Sequence, residues 1–209
     1  MKLYYNENQV ISHVVNRYKQ YRDNYMGHIQ DLIDAGAPIE GIGFQYRMKK
    51  YLPPETQWER LKDFEKFGLP LQVTEFEAMG DKNKAQRNIP TFSDAQRKKI
   101  TAECMTIFFS HPLADGFWHW SWTDRRQRGR NHFPYALMSW EGEPRAEMEQ
   151  WMKMIERDFN TDVTRKTGAD GTARVRGFKG IYKITVGKGK DATTAVVKLE
   201  EDTHKELSL

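Results

Sequence analysis

Three stretches of this chain place groups capable of chemistry at the ends of short apolar runs. In Leu71-Gln72-Val73-Thr74-Glu75-Phe76-Glu77 the two glutamates are two residues apart, so on a strand both carboxylates project from one face, and Thr74 and Phe76 from the other. Carboxylates placed this way can act as acid, base or nucleophile, although an edge strand with solvated carboxylates has the same spacing. In Gly41-Ile42-Gly43-Phe44-Gln45-Tyr46-Arg47 the bulky Ile42, Phe44 and Tyr46 share one parity. Gly41, Gly43, Gln45 and Arg47 share the other, so Gln45 and Arg47 reach the same rim as the glutamates; taken alone, a glutamine such as Gln45 is more often a satisfied structural amide. In Gly116-Phe117-Trp118-His119-Trp120-Ser121-Trp122-Thr123-Asp124 three tryptophans alternate. Indoles lining a cleft beside a carboxylate suit sugar rings, whose apolar faces stack while the hydroxyls hydrogen-bond. A tryptophan-rich strand alone is commonly core; beside two carboxylates and an amide it favours a carbohydrate site.

The elements that must position these groups alternate strand and helix. Leu3–Asn6 is a strand, and tyrosines and aliphatic residues at steps of three and four predict a helix from about Val14 to Ala35, stopped by Gly36-Ala37-Pro38. Ile39–Gln45 is the second strand, and Pro53-Pro54-Glu55 opens a helix running to Phe67 and closed by Gly68. Leu71–Phe76 is the third strand, followed by a polar loop. Ser93-Asp94-Ala95-Gln96 has the spacing of a capping box and starts a helix to Phe109. Gly116–Trp122 is the fourth strand, followed by an arginine-rich loop and a helix from Pro144 to Phe159. Four β/α units demand parallel strands with right-handed crossovers: half of a (β/α)8 barrel, or a small open doubly wound sheet. No glycine-rich phosphate loop follows the first strand, so the half-barrel is preferred.

Asn6 after an apolar strand, Gly41 to Gln45, Leu71 to Glu77 and Trp120 to Asp124 together resemble the last four strands of glycoside hydrolase family 10, the endo-β-1,4-xylanases, over about Lys2 to Phe159. The resemblance implies an α/β fold, the carboxy-terminal half of a TIM (β/α)8 barrel, in an enzyme that hydrolyses xylan with retention. Glu75 then falls on the catalytic nucleophile, Gln45 and Asn6 on substrate-binding positions, and Trp120 and Trp122 on the floor of the cleft. Arg47 and Glu77 take the places of a histidine and an aspartate that support the nucleophile; a fixed cation there would temper its reactivity. Asn8 stands where the family has a tyrosine. The strand carrying the acid/base glutamate is not among those matched, and Glu77 is a poor substitute for it. The resemblance implies no cofactor and no metal, a xylan-like polysaccharide as partner, and an extracellular or periplasmic location. The second reading is a non-catalytic or degenerate polysaccharide-binding homologue, motivated by Arg47 and Asn8.

Composition bounds these readings. The chain has 209 residues, 38% hydrophobic, 12% aromatic and 30% charged, too apolar for a disordered chain and too polar for a membrane protein. No run approaches the roughly 18 apolar residues of a membrane span, and Met1 to Tyr5 lacks the basic-then-apolar pattern of a signal peptide. The single cysteine, Cys104, reads as a buried helix packing position. Of the net charge of +4, Val163–Lys198 carries nine basic and two acidic residues, a local +7. That contrast suggests a boundary between a catalytic domain, 1–160, and a small antiparallel β module with a polar tail, 161–209. The module is built from runs at Thr172–Gly177, Ile181–Val186 and Thr193–Leu199, and is expected to dock on the main domain. Without a nucleic-acid motif its basic charge reads as a solvated hairpin surface, so neither nucleic acid nor membrane is an expected partner. Two open sheet edges and a bare inner face including Gly41, Gly43 and Trp120 predict self-association.

Overall fold

The computed structural model describes residues 2–8, 10–12, 15–80, 92–124, 126–127, 130–131 and 135–207. Most of the polar loop after the third strand and of the arginine-rich loop after the fourth, and the predicted helix start at Val14, lie outside them. The elements in chain order are β1 (Tyr4–Asn8), α1 (Val15–Asp34), β2 (Gly41–Gln45), β3 (Arg47–Met48), α2 (Pro54–Lys62), β4 (Leu71–Ala78), α3 (Asp94–Ser110), β5 (Ala114–His119), the short strands β6 (Arg126–Gln127) and β7 (Arg130–Asn131), α4 (Ala146–Lys153), β8 (Gly180–Val186) and β9 (Thr193–Leu199). They form two compact units, Met1–Met152 and Lys153–Leu209.

In the first unit β1, β2, β4 and β5 lie side by side in that order, all parallel, and β3 continues the line of β2 against β4. Each crossover advances one place in the same direction. A doubly wound sheet reverses direction at a switch point; part of a (β/α)8 barrel does not, and this sheet with its helices is part of such a barrel. The bulky parity of the second strand packs on the helix layer as expected: Ile42, Phe44, Tyr46 and Met48 are buried with Tyr25 and Ile29 of α1, Leu61 of α2, Phe64, and Ile100, Cys104 and Phe108 of α3. Phe44 meets Phe64 edge-on with centroids 4.9 Å apart, and Phe76 meets Phe117 at 5.1 Å.

Local signals hold at most helix ends. Ser93 Oγ accepts from the Gln96 backbone N–H at 3.3 Å while the Gln96 side chain accepts from the Ser93 N–H at 2.9 Å, the predicted capping box. After α1, Gly36 takes φ +73° and its N–H donates to Ile33 O. The second helix, by contrast, ends at Lys62 and resumes as a 3-10 turn over Glu65–Phe67. Tertiary contacts hold the break: the Asp63 carboxylate accepts from Tyr18 at 2.7 Å and Arg22 at 3.0 Å, and Phe64 is drawn into the core. The last helix is shorter than expected and passes into a π turn over Met154–Asp158, with the Phe159 N–H donating to Met154 O.

Two sequence-based expectations fail on the inner face and in the tail. Gly41 and Gly43 are not bare: the Tyr4 ring lies over Gly41, and the side chains of Asn6 and Thr74 close over Gly43, where a Cβ would meet Asn6 Oδ1 at 2.7 Å. The Tyr4 hydroxyl donates to Asp115 on β5, with Lys2 3.7 Å from the same carboxylate, tying the outer strands together across that face. In the second unit Thr172–Gly177 is not a strand; the described sheet there is the β8–β9 hairpin alone. Gly177 lies against Tyr182 and Thr161, and at the next residue the Phe178 N–H donates to Thr161 Oγ1 and Tyr182 OH donates to Phe178 O, so side chains bond the backbone where the segment ends.

Candidate active site

The carboxyl ends of parallel strands converge on the rim of the inner face, and one irregularity decides what arrives there. Phe44 pairs with Val73, but Arg47 pairs with Glu77: three residues of the β2–β3 line oppose four of β4. This β-bulge after Val73 breaks strict alternation. Leu71 and Val73 before it, and Phe76 and Ala78 after it, are all buried. Thr74 stands on the inner face, donating to Asn6 Oδ1 at 2.8 Å, and does not project with Phe76. Glu75 and Glu77 share a face as expected, but it is not the face of Leu71 and Val73, from which a regular strand could not have parted them.

At the rim Arg47 joins both carboxylates. Its Nη2 pairs with Glu75 Oε2, its Nε lies 3.6 Å from Glu77 Oε2, and its guanidinium sits 4.8 Å from the centroid of the Trp120 ring. The two carboxylates differ in access: the Glu75 side chain keeps 13% of its surface exposed and Glu77 1%. Ser121 Oγ donates to Glu77 Oε1 at 2.8 Å. Glu77 is therefore held as a buried acceptor, whereas Glu75 offers solvent an oxygen that Arg47 does not bind. A carboxylate with one oxygen anchored and the side chain still partly open can attack carbon or take a proton.

The structure brings Arg47, Glu75, Glu77 and Trp120 together and sets Asn6 beside them on the same face, one strand across, bound to Thr74. Gln45 stands at the end of β2, half-buried, and its side chain has no hydrogen bond among the described residues. Trp122 does not join the cluster. The fourth strand ends at His119, three residues earlier than predicted, and the chain leaves the sheet because Ser121 and Trp122 pair instead with Leu137 and Met138. Trp118, still on the strand, folds over Gly116; Trp120 and Trp122 lie beyond it, 49% and 57% exposed.

Two participants escaped the sequence reading. Ser121 had no signal beyond its place between tryptophans. Tyr135, whose phenol is pushed up by burial and by the Glu77 carboxylate, lies after the arginine-rich loop where no periodicity marks it. Asp124, by contrast, is committed to structure, buried and paired with Arg145 at 2.8 Å. Among the described residues no cluster of His, Cys, Asp or Glu could hold a metal ion, and no helix is long and apolar enough to cross a membrane.

Residues 1–141 match the model of glycosyl hydrolase family 10. The chain belongs to that family. Its fold is shared with solved family 10 structures, among them xylanase 10B from Thermotoga petrophila RKU-1 in complex with xylobiose (19% identity, TM-score 0.54, 75% of this chain and 46% of that one). The family 10 protein from Paenibacillus barcinonensis is similar over 78% of this chain and 48% of its own (15% identity, TM-score 0.59). Native xylanase 10C from Cellvibrio japonicus is similar over 73% and 35% (17% identity, TM-score 0.57). No curated protein matches the chain in sequence. This family 10 chain thus spans a third to a half of the length of the structures it resembles, and it is glycosidase-like in fold.

Proposed function

We propose that this chain carries the nucleophile half of a retaining glycoside hydrolase site acting on β-1,4-xylan or a related plant polysaccharide outside the cell or in the periplasm. The observation that carries the reading is Glu75: a carboxylate at the carboxyl end of a barrel strand, anchored through one oxygen by Arg47 and open at the other. In the reaction Glu75 attacks the anomeric carbon while an acid protonates the departing glycosidic oxygen; water then hydrolyses the resulting ester, with the same acid now acting as base. Retention requires two carboxyl groups about 5 to 5.5 Å apart. Glu77, buried and accepting from Ser121, is the wrong group to deliver a proton. The acid therefore comes from another segment. Arg47 with Glu77 orients Glu75, Asn6 and Gln45 contact sugar hydroxyls, and Trp120, one face covered by Arg47, gives the other face to a sugar ring, with Trp122 further out along the floor.

The 209-residue chain alone is expected to show no hydrolysis of xylan, since general acid catalysis contributes about 10²- to 10⁴-fold. Turnover by the isolated chain that vanishes in Glu75→Gln would overturn the split-site reading. In a chain that also carries the acid-bearing segment, Glu75→Ala abolishes turnover and azide restores it with inverted product configuration; retained configuration points to another nucleophile. The isolated chain also self-associates through β1 and β5, each paired on one side only among the described strands; a dilute sample sedimenting as a stable monomer would exclude this.

A further inference from the structure

Behind the rim, on the helix side of the sheet, His119 ends β5 with its side chain buried. Phe76 and Trp151 pack against its ring with centroids 6.0 and 5.6 Å away, so an apolar side chain would fill the place, and it is the two ring nitrogens that call for a reason. The Ser121 backbone N–H donates to Nδ1 at 3.1 Å, which puts the ring proton on Nε2. Nε2 faces Glu147 Oε1 at 3.4 Å, and Glu147 is in turn held by Arg97 Nε at 2.9 Å and Thr101 Oγ1 at 3.0 Å. A flipped ring would set carbons against both the Ser121 N–H and the Glu147 carboxylate, so the hydrogen bond at Nδ1 and the carboxylate facing Nε2 favour the same orientation. Ser121 Oγ then donates to Glu77 Oε1, Glu77 lies against Arg47, and Arg47 anchors Glu75. The links form one directional path from the buried helix layer to the open carboxylate.

We propose that His119 is a positioning residue for Glu75, acting through Ser121, Glu77 and Arg47. The assignment rests on the reading of Glu75 as nucleophile. Arg47 Nε is buried 3.6 Å from Glu77 Oε2 without a hydrogen bond among the described residues, so it is burial against Glu77 that shields its N–H, and exchange with water should quicken when that pair loosens. The test is ¹⁵N NMR of the full chain labelled at arginine, the Arg47 Nε–H signal being assigned by its loss in Arg47→Lys.

His119→Gln, which retains a donor near Nε2 but no acceptor at Nδ1, and Ser121→Ala, which removes the hydroxyl, should each speed that exchange about three- to tenfold, as expected for one lost hydrogen bond. His119→Asn, whose Oδ1 takes the place of Nδ1, should stay within about twofold of the parent although it leaves Glu147 a partner short. Unchanged exchange in His119→Gln and Ser121→Ala overturns the proposal. So does acceleration in all three variants in proportion to lost global stability in urea, since that is a purely structural role. Failure of azide to rescue Glu75→Ala overturns the hydrolase reading while leaving the exchange result standing, so the two fail separately.

Discussion

Two arginine–carboxylate clusters sit on opposite faces of the same sheet, and they are built to different rules. On the helix side Arg97 reaches Glu147 and the Tyr135 carbonyl, Thr101 donates to the other Glu147 oxygen, and His119 Nε2 lies 3.4 Å from that same oxygen; none of the carboxylate meets solvent. Burial pushes the Glu147 carboxyl up, but His119 and Arg97 outweigh it and hold the group below the usual carboxylate range. On the open face Arg47 is spread over two carboxylates, and Glu75 is left with an oxygen that no described residue binds. A buried charge must be satisfied on all sides or it destabilises the fold, whereas a reactive carboxylate must be held on one side and left open on the other.

The contrast is sharpest where one partner is removed. Arg97→Ala strands a buried carboxylate and should lower unfolding free energy by about 3 to 5 kcal/mol, read as a shift of the urea midpoint. An effect under about 1 kcal/mol would mean that water reaches Glu147 and the cluster is not buried in solution.

Acid should separate two groups on the helix side. His111, beside Glu65, is held below its ordinary value of 6.5 by burial, so its neutral form belongs to the fold; that contribution is whole above pH 6.5 and is lost as pH falls below it. Glu147, held below 4.5, contributes fully above that value and loses its contribution as pH falls further through the lowered folded value. Urea midpoints measured against pH should therefore fall in two steps, and Glu147→Gln should shrink the lower one, to which Asp115, held down by its hydrogen bond from Tyr4, also contributes. A lower step of unchanged size in that variant would place the acid lability elsewhere.

Glu75→Gln should change stability by no more than about 1 kcal/mol, because its ion pair is partly solvated; a loss comparable to that of Arg97→Ala would erase the distinction between the clusters. Smallest of all, Lys98→Ala removes an exposed pair with Glu149 at 2.7 Å and should stay within about 0.5 kcal/mol, measured in the same denaturation series.

Much of this arrangement is legible from residues a few positions apart. The parity of Ile42, Phe44 and Tyr46 assigns the helix-facing side of β2, Ser93 and Gln96 mark the start of α3, Gly36 marks the end of α1, and the setting of Cys104 announces a buried thiol. These signals act within one turn or one strand, where side-chain period and backbone hydrogen bonding decide the outcome. The motif around Glu75 likewise pointed to the family and to the rim.

The tertiary structure alone decided the rest. The bulge that carries Glu75 and Glu77 away from the face of Val73 depends on how many residues the neighbouring strand offers, and nothing within Leu71 to Glu77 counts them. Ser121 and Trp122 left the sheet because Leu137 and Met138 took their carbonyls, while Trp120 still donates to Phe76 O on β4, and Thr172–Gly177 forms no strand, the residue after it, Phe178, being bonded by the side chains of Thr161 and Tyr182. Arg97 and Glu147, fifty positions apart, meet only after α3 and α4 have packed on the sheet. Local preference is a property of a segment, but register and buried charge pairing are set by the partner, and the partner's place exists only in the folded chain.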